Sequence, residues 1–313
     1  MKISIVLLSF KYFDETTKLC FESLVRDRNF NHWELIVVDN GSDDDTPEHL
    51  RALQEAYPSV RFIFSEKNLG FAGGMNTGIR EAQGEVIILL NSDTICPEGM
   101  INRLAEHCAI DESLGMIGPV TNAAGNEQAI YTSAPDVEGI IMQGLQYANS
   151  GVRTSLDAYR LDFCCVAITE NALGKTGLLD EGFGRGYFED FDYSLRMKEQ
   201  GFRLFVAEDV FIYHRGSTAF GRLGSESRAL LKRNKRRIID KHGVAIGFPH
   251  TRECNLSILA QYVQKKESGD TVSQYRVTNR LQLATHDRPR NWLKRRRYLH
   301  KVRAVAQQLG VGF

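Results

Sequence analysis

The amino-acid sequence predicts an α/β fold built on a mostly parallel sheet, and two observations lead to this prediction. Short, nearly continuous apolar runs alternate with helical stretches, and polar residues follow several of the runs directly. Strands that are covered on both faces have this composition, and their alternation with helices joins parallel strands through right-handed crossovers. The predicted strands are residues 3–9, 33–40, 60–64, 85–93, 115–120 and 161–169.

Helical stretches fill the segments between these runs. Thr46 and Pro47 are predicted to open one helix as its N-cap and first helical residue, and Pro97 to begin another that ends near residue 108. Two short strands are expected at 202–206 and 210–213, followed by basic helices from about residue 224. The remaining predicted helices are residues 14–26, 73–83 and 188–200.

The formal net charge of +0 over 313 residues conceals a strong asymmetry. Residues 221–313 hold 21 Lys and Arg but 6 Asp and Glu, whereas residues 1–220 hold 18 and 33. We therefore divide the chain into a domain, 1–220, and a basic helical C-terminal region, 221–313. That charge is typical either of a solvated helical surface or of a face for an anionic membrane or glycan. No recognisable nucleic-acid-binding module accompanies it, so no nucleic acid is expected as a partner.

Cysteine usage and hydropathy indicate a cytoplasmic protein. The six cysteines form no CxxC pair and are interpreted as reduced thiols. Ser4 and Ser9 interrupt the apolar N-terminus, which is predicted to be the first strand and not a signal peptide. No run of about 18 apolar residues occurs, so no membrane span is expected.

Polar residues follow the second, third and fourth apolar runs, as Asp39, Asn68 and the tripeptide Asn91-Ser92-Asp93. Ligands of open parallel sheets bind beyond the carboxyl ends of the strands, so these residues mark a candidate site. Asp93 offers the hard oxygen ligand that Mg²⁺ or Mn²⁺ shares with phosphate oxygens. The alternative is that Asp93 forms an Asx turn or caps the helix near Pro97.

Asp39 and the glycine-rich stretch after residue 68 have comparable alternatives. Asp39 can accept a hydrogen bond from the ring N–H of a nucleobase, although DNGS is also good turn chemistry. Gly70 and Gly73 permit close approach of the backbone to a ligand, and the helix that begins there can direct N–H groups toward an anion. The spacing is not that of a phosphate-binding Walker loop.

An acidic cluster and a histidine complete the candidate site. Asp190 can act as a general base at the start of a predicted helix. The alternative for the cluster of Glu189, Asp190 and Asp192 is ordinary acid enrichment at a helix start, with Asp192 paired to Arg196. His214 is either a structural histidine or a neutral imidazole that completes a metal site.

Six stretches in order make residues 1–220 resemble family 2 glycosyltransferases of the GT-A fold. They are SIVLLSF (4–10), LIVVDNGSDD (35–44), NLGFAGGMNTGI (68–79), GEVIILLNSDT (84–94), GYFEDFDYSLRMKEQGFR (186–203) and YHRGS (213–217). The resemblance implies a Rossmann-like, mostly parallel sheet flanked by helices, to which this chain adds its basic helical extension. GFAGGMN and FEDFDYSLR are similar to rhamnosyl- and galactofuranosyl-transferase-like enzymes of bacterial surface polysaccharide synthesis.

The resemblance also implies roles for single residues. Asn91-Ser92-Asp93 stands for the family's D-x-D, so Asp93 and His214 are expected to bind the metal, with one acid of the motif replaced by Asn91. Asp190 is the expected base in the E-D pair with Glu189. The expected donor nucleotide contacts are Ser9, Asp39, Asn68, Gly70, Gly73, Asn76 and Ser92, and the expected acceptor contacts are Tyr187, Phe188 and Asp192.

These expectations combine into one functional hypothesis. An inverting enzyme would use Mn²⁺ or Mg²⁺ to transfer a hexose from a UDP- or dTDP-linked donor to a hydroxyl of a glycan or lipid-linked acceptor. The basic region 221–313 would dock on the anionic inner face of the cell membrane. The alternatives are a nucleotidyltransferase, which would be expected to carry a basic, glycine-rich loop where this chain has SFKYFDE, and a catalytically idle module for glycan binding or scaffolding.

Overall fold

The computed structural model describes residues 1–216, 225–243 and 247–313, with the backbone alone at 225–227. Its centre is a mixed sheet with helices on both faces. The strands in the described part of the chain are β1 (Ile3–Ser9), β2 (Trp33–Asp39), β3 (Arg61–Phe64), β4 (Val86–Asn91), β5 (Thr94–Ile95), β6 (Leu114–Val120), β7 (Ser155–Asp157), β8 (Cys165–Thr169), β9 (Arg203–Phe211) and β10 (Tyr213–His214).

Eight of these strands form one sheet in the order β3-β2-β1-β4-β8-β6-β9-β7. Strands β3, β2, β1 and β4 are parallel, β8 runs antiparallel to both of its neighbours, and β6 and β9 are again parallel. The predicted α/β class and mostly parallel sheet are therefore confirmed. Strands β5 and β10 form a separate antiparallel pair in which His214 lies opposite Thr94.

The helices of the described residues flank this sheet. They are α1 (Thr17–Val25), α2 (Thr46–Ala56), α3 (Gly70–Glu81), α4 (Met100–His107), α5 (Val137–Asn149), α6 (Glu170–Thr176), α7 (Glu189–Glu199), α8 (Ser225–His242), α9 (Thr251–Glu267), α10 (Gln274–His286) and α11 (Trp292–Leu309). None of them is long and apolar enough to cross a lipid bilayer. The N-cap of α2 is Asp45, so the prediction of Thr46 at that position was one residue late.

Both faces of β1 are buried, which explains its continuous apolar sequence. Ile5 and Leu7 belong to the core that includes Phe21 of α1, whereas Val6 and Leu8 belong to the core on the opposite face. Side chains alternate between the faces of a strand, so a strand covered by helices on both sides needs apolar residues at every position.

Strand β9 differs from the sequence prediction of two short strands. It runs without interruption from Arg203 to Phe211, and Glu208 and Asp209 lie within it, between the two predicted strands. Glu208 is fully buried, and its Oε1 lies 2.5 Å from Nη2 of Arg280 in α10. Asp209 Oδ1 lies 2.7 Å from His107 Nε2, which is within hydrogen-bonding distance. Tertiary partners on both faces of the strand therefore accommodate charges that would end an isolated strand.

Helices α9, α10 and α11 share a core of their own, which includes Leu156 of β7. Arg280 attaches this helical unit to the sheet, because its guanidinium also donates to the carbonyl oxygen of Glu127 at 2.9 Å. Asn279 pairs with both backbone polar groups of Tyr131 at 2.9 and 2.8 Å. The C-terminal region is thus packed onto the sheet and is not an extended tail.

Candidate active site

A cleft of about 960 Å³ opens at the carboxyl ends of β1, β2 and β4. Parallel strands end together at one edge of a sheet, so the polar residues that follow them meet there. Its lining includes residues of the first half of the chain, among them Asn40, Asn68, Ser92 and Asp93. The second half contributes residues between 160 and 164, the start of α7, two residues of α8, and Phe248 with Pro249.

Asp93 and His214 meet at this edge, as the metal prediction requires. The turn between β4 and β5 carries Asp93, and the pairing of β5 with β10 brings His214 Nε2 to 3.4 Å from its Oδ1. The ring is oriented by its other nitrogen, Nδ1, which lies 2.7 Å from the carbonyl oxygen of Ala123. Nδ1 must donate that hydrogen bond, so in the neutral ring Nε2 carries the lone pair that a metal ligand needs, and in the protonated ring the Nε2–H can donate to Asp93.

The backbone of His214 is also fixed. The side chain of Asn122 accepts a hydrogen bond from the His214 N–H at 2.9 Å and donates one to its carbonyl oxygen at 2.8 Å. Burial lowers the pKa of His214, but the hydrogen bond and charge of Asp93 outweigh it, so that the net shift is upward. Ser217, the last residue of the YHRGS stretch, lies outside the described residues.

The donor set of this pair fits a divalent cation that shares its coordination with phosphate. The described residues contain no group of three or more His, Cys, Asp or Glu arranged to hold a metal. Mg²⁺ and Mn²⁺ sites with one or two protein ligands are completed by substrate phosphates and water. The side chain of Asn91 lines the same cleft, and its Oδ1 atom is buried without a hydrogen-bond partner among the residues that the structure describes. An unsatisfied amide oxygen beside Asp93 is consistent with a ligand that supplies the missing interaction.

Asp39 ends β2 and is 2% exposed. Burial raises its pKa, and the Ser42 hydroxyl, which donates to Oδ1 at 2.6 Å, opposes that rise. The next residue, Asn40, was not singled out from the sequence, yet it lines the cleft and ties two loops together. Its Nδ2 donates to the Gly70 carbonyl oxygen at 3.0 Å, and its Oδ1 accepts from the Leu69 N–H at 3.0 Å.

The glycines of α3 are surrounded by protein atoms. A Cβ on Gly70, whose φ is +77°, would lie 1.9 Å from the carbonyl oxygen of Gly184. A Cβ on Gly73 would lie 2.8 Å from Leu69 Cβ. The glycine-rich sequence therefore permits close packing of α3 against the loop that leads to α7. Asn68 lines the cleft and caps this turn, with its Oδ1 accepting from the Gly70 N–H at 2.7 Å.

Three other predicted site residues, none of which lines the cleft, form hydrogen bonds or ion pairs with other residues of the protein. Ser9 is fully buried, and its hydroxyl lies 2.7 Å from that of Thr17. Asn76 fixes the segment before α7 through both backbone polar groups of Leu179, at 2.9 and 3.0 Å. Asp192 is fully buried and lies 2.7 Å from the ammonium of Lys241 in α8. The structure does not place these three side chains among those that line the cleft.

Asp190 and Glu189 line the cleft at the start of α7. The side chain of Asp190 keeps 22% of its exposure, and its Oδ2 lies 3.6 Å from Arg160 Nη1. Burial raises the pKa of Asp190 to about 6, the charge of Asp162 adds to the rise and Arg160 opposes it. Burial and the neighbouring Asp190 also raise the pKa of Glu189, whose Oε2 is buried and has no hydrogen-bond partner in the described part of the chain.

Sequence reasoning missed Arg160 and Asp162, which form an ion pair beside Asp190. They lie in a stretch with weak periodicity, and no sequence signal places them near α7. Backbone strain marks the same cleft. Among the described residues, the non-glycine positions with a left-handed φ of 56–75° are Lys11, Tyr12, Tyr187 and Phe188, and all of them line it. Strained backbone of this kind accumulates at functional sites.

Helix α8 also contributes to the site, which the division of the chain at residue 220 did not anticipate. Leu231 and Lys235 line the cleft together with Phe248. Asn234, on the buried side of the helix, lies within 3.0 Å of the carbonyl oxygens of Phe183, Gly186 and Tyr187. It thereby holds the loop that carries Tyr187 and Phe188.

The sheet order and the pair of Asp93 and His214 at its carboxyl edge agree with the predicted glycosyltransferase of the GT-A type. The chain belongs to glycosyl transferase family 2, since the model of that family, "Glycosyl transferase family 2", matches residues 4–177. Both the predicted family and the predicted fold are confirmed.

Several characterised and uncharacterised bacterial proteins are similar to this chain. The N-acetylglucosaminyl-diphospho-decaprenol L-rhamnosyltransferase of Mycobacterium tuberculosis is 24% identical over 215 residues, 60% of this chain and 68% of the relative. The uncharacterized glycosyltransferase YfnE of Bacillus subtilis is 23% identical over 283 residues, 75% of this chain and 71% of the relative. The uncharacterized glycosyltransferase alr2836 of Nostoc is 26% identical over 151 residues, and that match spans 46% of the relative's length.

Two solved structures share the fold. The mannosyltransferase PcManGT from Pyrobaculum calidifontis, in complex with GDP-Man and Mn²⁺, has a TM-score of 0.56 at 15% identity and covers 97% of this chain and 86% of its own. GalNAc-T7 with UDP, GalNAc and Mn²⁺ has a TM-score of 0.54 at 14% identity and covers 68% of this chain and 43% of its own.

Proposed function

We propose that the protein is an inverting, metal-dependent enzyme that transfers a hexose from a nucleoside-diphosphate donor to an acceptor hydroxyl. One observation carries this proposal. Asp93 and His214, from distant parts of the chain, lie 3.4 Å apart in the same cleft as Asp190. In such a cleft, two metal ligands can hold a cation that stabilises the departing diphosphate, and a separate carboxylate can accept the proton of the attacking alcohol.

Asp93 Oδ1 and His214 Nε2 would hold Mn²⁺ or Mg²⁺ together with the diphosphate oxygens of the donor. Such an ion neutralises the negative charge that builds on a departing diphosphate. Asn91 Oδ1 would face the same ligands or their water. Mn²⁺ is named with a nucleotide in both similar solved structures, which supports this assignment.

Asp190 would accept the proton of the acceptor hydroxyl. As the hydroxyl oxygen bonds to the anomeric carbon, the bond from that carbon to the diphosphate oxygen breaks and the configuration inverts. Arg160, 3.6 Å from Asp190 Oδ2, would keep the carboxylate oriented and favour its ionised form. A pKa raised to about 6 still leaves Asp190 ionised at neutral pH while making it a better base than an exposed aspartate.

The donor is proposed to be UDP- or dTDP-linked, and the acceptor a glycan or a lipid-linked sugar of surface polysaccharide synthesis. The mycobacterial rhamnosyltransferase, whose name specifies a lipid diphosphate acceptor, supports a lipid-linked acceptor for this chain. The similar solved structures contain UDP or GDP-Man, so the nucleobase has to be tested directly.

A screen of nucleotide-sugars tests this proposal. We expect thermal stabilisation by one UDP- or dTDP-sugar that requires Mn²⁺ or Mg²⁺, and release of the nucleoside diphosphate when an acceptor is added. Release of pyrophosphate from a nucleoside triphosphate and a sugar phosphate would instead identify a nucleotidyltransferase. If no nucleotide shows metal-dependent binding, the protein is the idle module and the proposal is wrong.

We further propose that the C-terminal region docks on an anionic membrane surface, at the inner face of the cell membrane. Trp292 and Leu293, at the start of α11, are 58% and 57% exposed. Exposed basic residues surround them, and the Arg296 guanidinium lies 5.8 Å from the Trp292 ring centroid. Aromatic and aliphatic side chains flanked by cations are typical of helices that lie in a membrane interface.

Co-sedimentation with vesicles that contain anionic lipid tests this docking. We expect binding that weakens as salt rises, and that Trp292→Ser combined with Leu293→Ser reduces it. The matched control replaces Val137 and Met142 of α5, which are 42% and 63% exposed, by Ser, and so removes exposed apolar surface away from α11. Equal binding to neutral and anionic vesicles, or equal losses in both variants, would contradict the proposal.

A further inference from the structure

One face of α8 lines the same cleft as Asp93. Leu231 and Lys235 both contact the cavity and lie one helical turn apart, so their side chains share that face. Both side chains are exposed, and Leu231 keeps 38% of its surface in solvent although it is apolar. The face therefore presents an apolar and a cationic group side by side.

Phe248 connects this face to the catalytic helix. Its ring packs edge-on against Phe188, with centroids 5.6 Å apart, and lies 5.3 Å from the ring of Phe191, the residue after Asp190. The ammonium of Lys235 lies 4.9 Å from the centroid of the same ring. Through Phe248, Lys235 is thus one aromatic ring away from the residue that follows the proposed base.

The cation on this face differs from two others in the cleft. Lys11 Nζ lies 2.5 Å from Asp43 Oδ1. Arg160 forms an ion pair with Asp162, and its Nη1 lies 3.6 Å from Asp190 Oδ2. Within the ranges that the structure describes, the Lys235 ammonium contacts the Phe248 ring and forms no ion pair with a carboxylate. An ammonium held over an aromatic ring in a substrate cleft, without an internal counter-ion, is suited to an anion brought by the ligand.

We infer that Lys235, Phe248 and Leu231 form an acceptor subsite that binds a phosphate group attached to an apolar chain. The inference rests on the proposed function and names the acceptor class: an amphiphilic lipid phosphate or diphosphate. Lys235 contacts the phosphate oxygens, and Leu231 and Phe248 cover the first carbons of the chain. Specificity for the acceptor is then determined by the region after the GT-A sheet, which the family's own motifs do not reach.

Farnesyl diphosphate is a soluble probe with both required features. Calorimetry on the full chain saturated with UDP and Mg²⁺ should show that it binds more tightly than inorganic pyrophosphate, which lacks the chain, and octyl glucoside, which lacks the charge. Lys235→Gln should weaken farnesyl diphosphate binding about tenfold, the loss typical of one charge-assisted contact. Phe248→Ser should weaken farnesyl diphosphate more than pyrophosphate.

Lys232→Gln is the matched control, because Lys232 is exposed on the same helix but does not line the cleft. It removes the same charge and should leave farnesyl diphosphate binding unchanged. Equal losses in both lysine variants would show a general charge effect and overturn the subsite. Pyrophosphate binding as tight as that of farnesyl diphosphate would also overturn it.

A separate titration with UDP and Mg²⁺ distinguishes failure of the acceptor subsite from failure of the proposed function. Lys235→Gln should leave nucleotide affinity unchanged, and a parallel loss would assign Lys235 to the donor and overturn the acceptor subsite alone. Failure of UDP, dTDP and GDP to bind with a divalent metal would overturn the proposed function. The farnesyl diphosphate titration without nucleotide then still reports on the subsite.

Discussion

Two carboxylates in different regions of the molecule have opposite pKa shifts, although protein surrounds both. Burial raises the pKa of Asp190 in the cleft to about 6, and Asp162 adds to that rise. Burial favours a higher pKa for Glu208 in β9 as well, but the charges of Arg280 and Arg276 outweigh this effect and hold the pKa below its ordinary value. The cleft therefore retains a group that can gain a proton near neutral pH, whereas the sheet–helix junction retains a permanent charge.

Differences in pairing explain this contrast. Glu208 accepts hydrogen bonds from Tyr147 at 2.6 Å and from Tyr262, and its other oxygen lies 2.5 Å from the fully buried Arg280. Asp190 has one cation at 3.6 Å, which is also bound to Asp162. A carboxylate whose charge is balanced by a buried cation and several hydrogen-bond donors anchors one element to another. A carboxylate with fewer such partners remains available for proton transfer.

The largest effect is expected for removal of the proposed base. Asp190→Asn should lower turnover by about 10²–10⁴-fold, because the amide cannot accept the hydroxyl proton. Metal-dependent nucleotide binding and the melting temperature should persist. Steady-state kinetics measure this, with Glu199→Gln, 60% exposed on the same helix, as the control that keeps turnover. Full turnover of the Asp190 variant would remove the assignment.

Removal of the structural carboxylate should have the opposite profile. Glu208→Gln leaves the Arg280 charge buried without a partner and should lower the free energy of unfolding by about 3–5 kcal/mol. Urea denaturation measures the loss, and turnover of the remaining folded protein should be near that of the parent. Glu112→Gln, at an exposed position, should change neither quantity. A stability loss no larger than the control's would show that the junction does not depend on this pair.

A smaller effect is expected at the metal pair. His214→Ala removes one of two proposed protein ligands and should weaken Mn²⁺-dependent nucleotide binding at least about tenfold, the scale seen when support of a metal ligand is lost. Calorimetry with and without Mn²⁺ measures it. His300→Ala, exposed on α11, provides the comparison. Unchanged Mn²⁺ dependence would exclude His214 as a ligand.

Lowering the pH should separate the two regions without a mutation. Asp190 works as a base when ionised, so kcat/KM should fall about tenfold per pH unit below the raised pKa of about 6. The pKa of Glu208 is lowered in the folded protein, so its stabilising contribution is present above the ordinary pKa and is lost as the pH falls through the lowered value. Near pH 5 the protein should therefore be less active but still folded, as circular dichroism can verify. Parallel loss of activity and structure would contradict this.

The parts of the fold that follow from local pattern were predictable. Strands β1, β2 and β4 were recognised, because burial on both faces demands continuous apolar residues, and β3, a partly buried edge strand, was recognised from its short apolar run. Strand β9 was predicted as two pieces, because the sequence does not show that Arg280 and His107 lie beside the charged residues Glu208 and Asp209 at its centre. A local sequence pattern predicts the surroundings of a residue only when those surroundings are formed by residues nearby in the sequence.

The candidate site divides in the same way. Motif order predicted that Asp93, His214 and Asp190 belong to one site, and the structure brings the first two together. Arg160 and Lys235 carry no local signal, and they reach the cleft through the segment before β8 and through the packing of α8. Ser9 and Asn76 were expected to contact the nucleotide, and the structure gives them protein partners that only the folded chain reveals.

The sequence by itself determined the family, the parallel core of the sheet and the chemical types available at its carboxyl edge. These depend on hydrophobic periodicity and on short motifs, both of which are local properties. Only the tertiary structure decided that the basic C-terminal region packs onto the sheet, that α8 forms one wall of the cleft, and that Asp190 and Glu208 have opposite shifts. Such features depend on contacts between residues far apart in the chain, and neither charge counts nor periodicity contains that information.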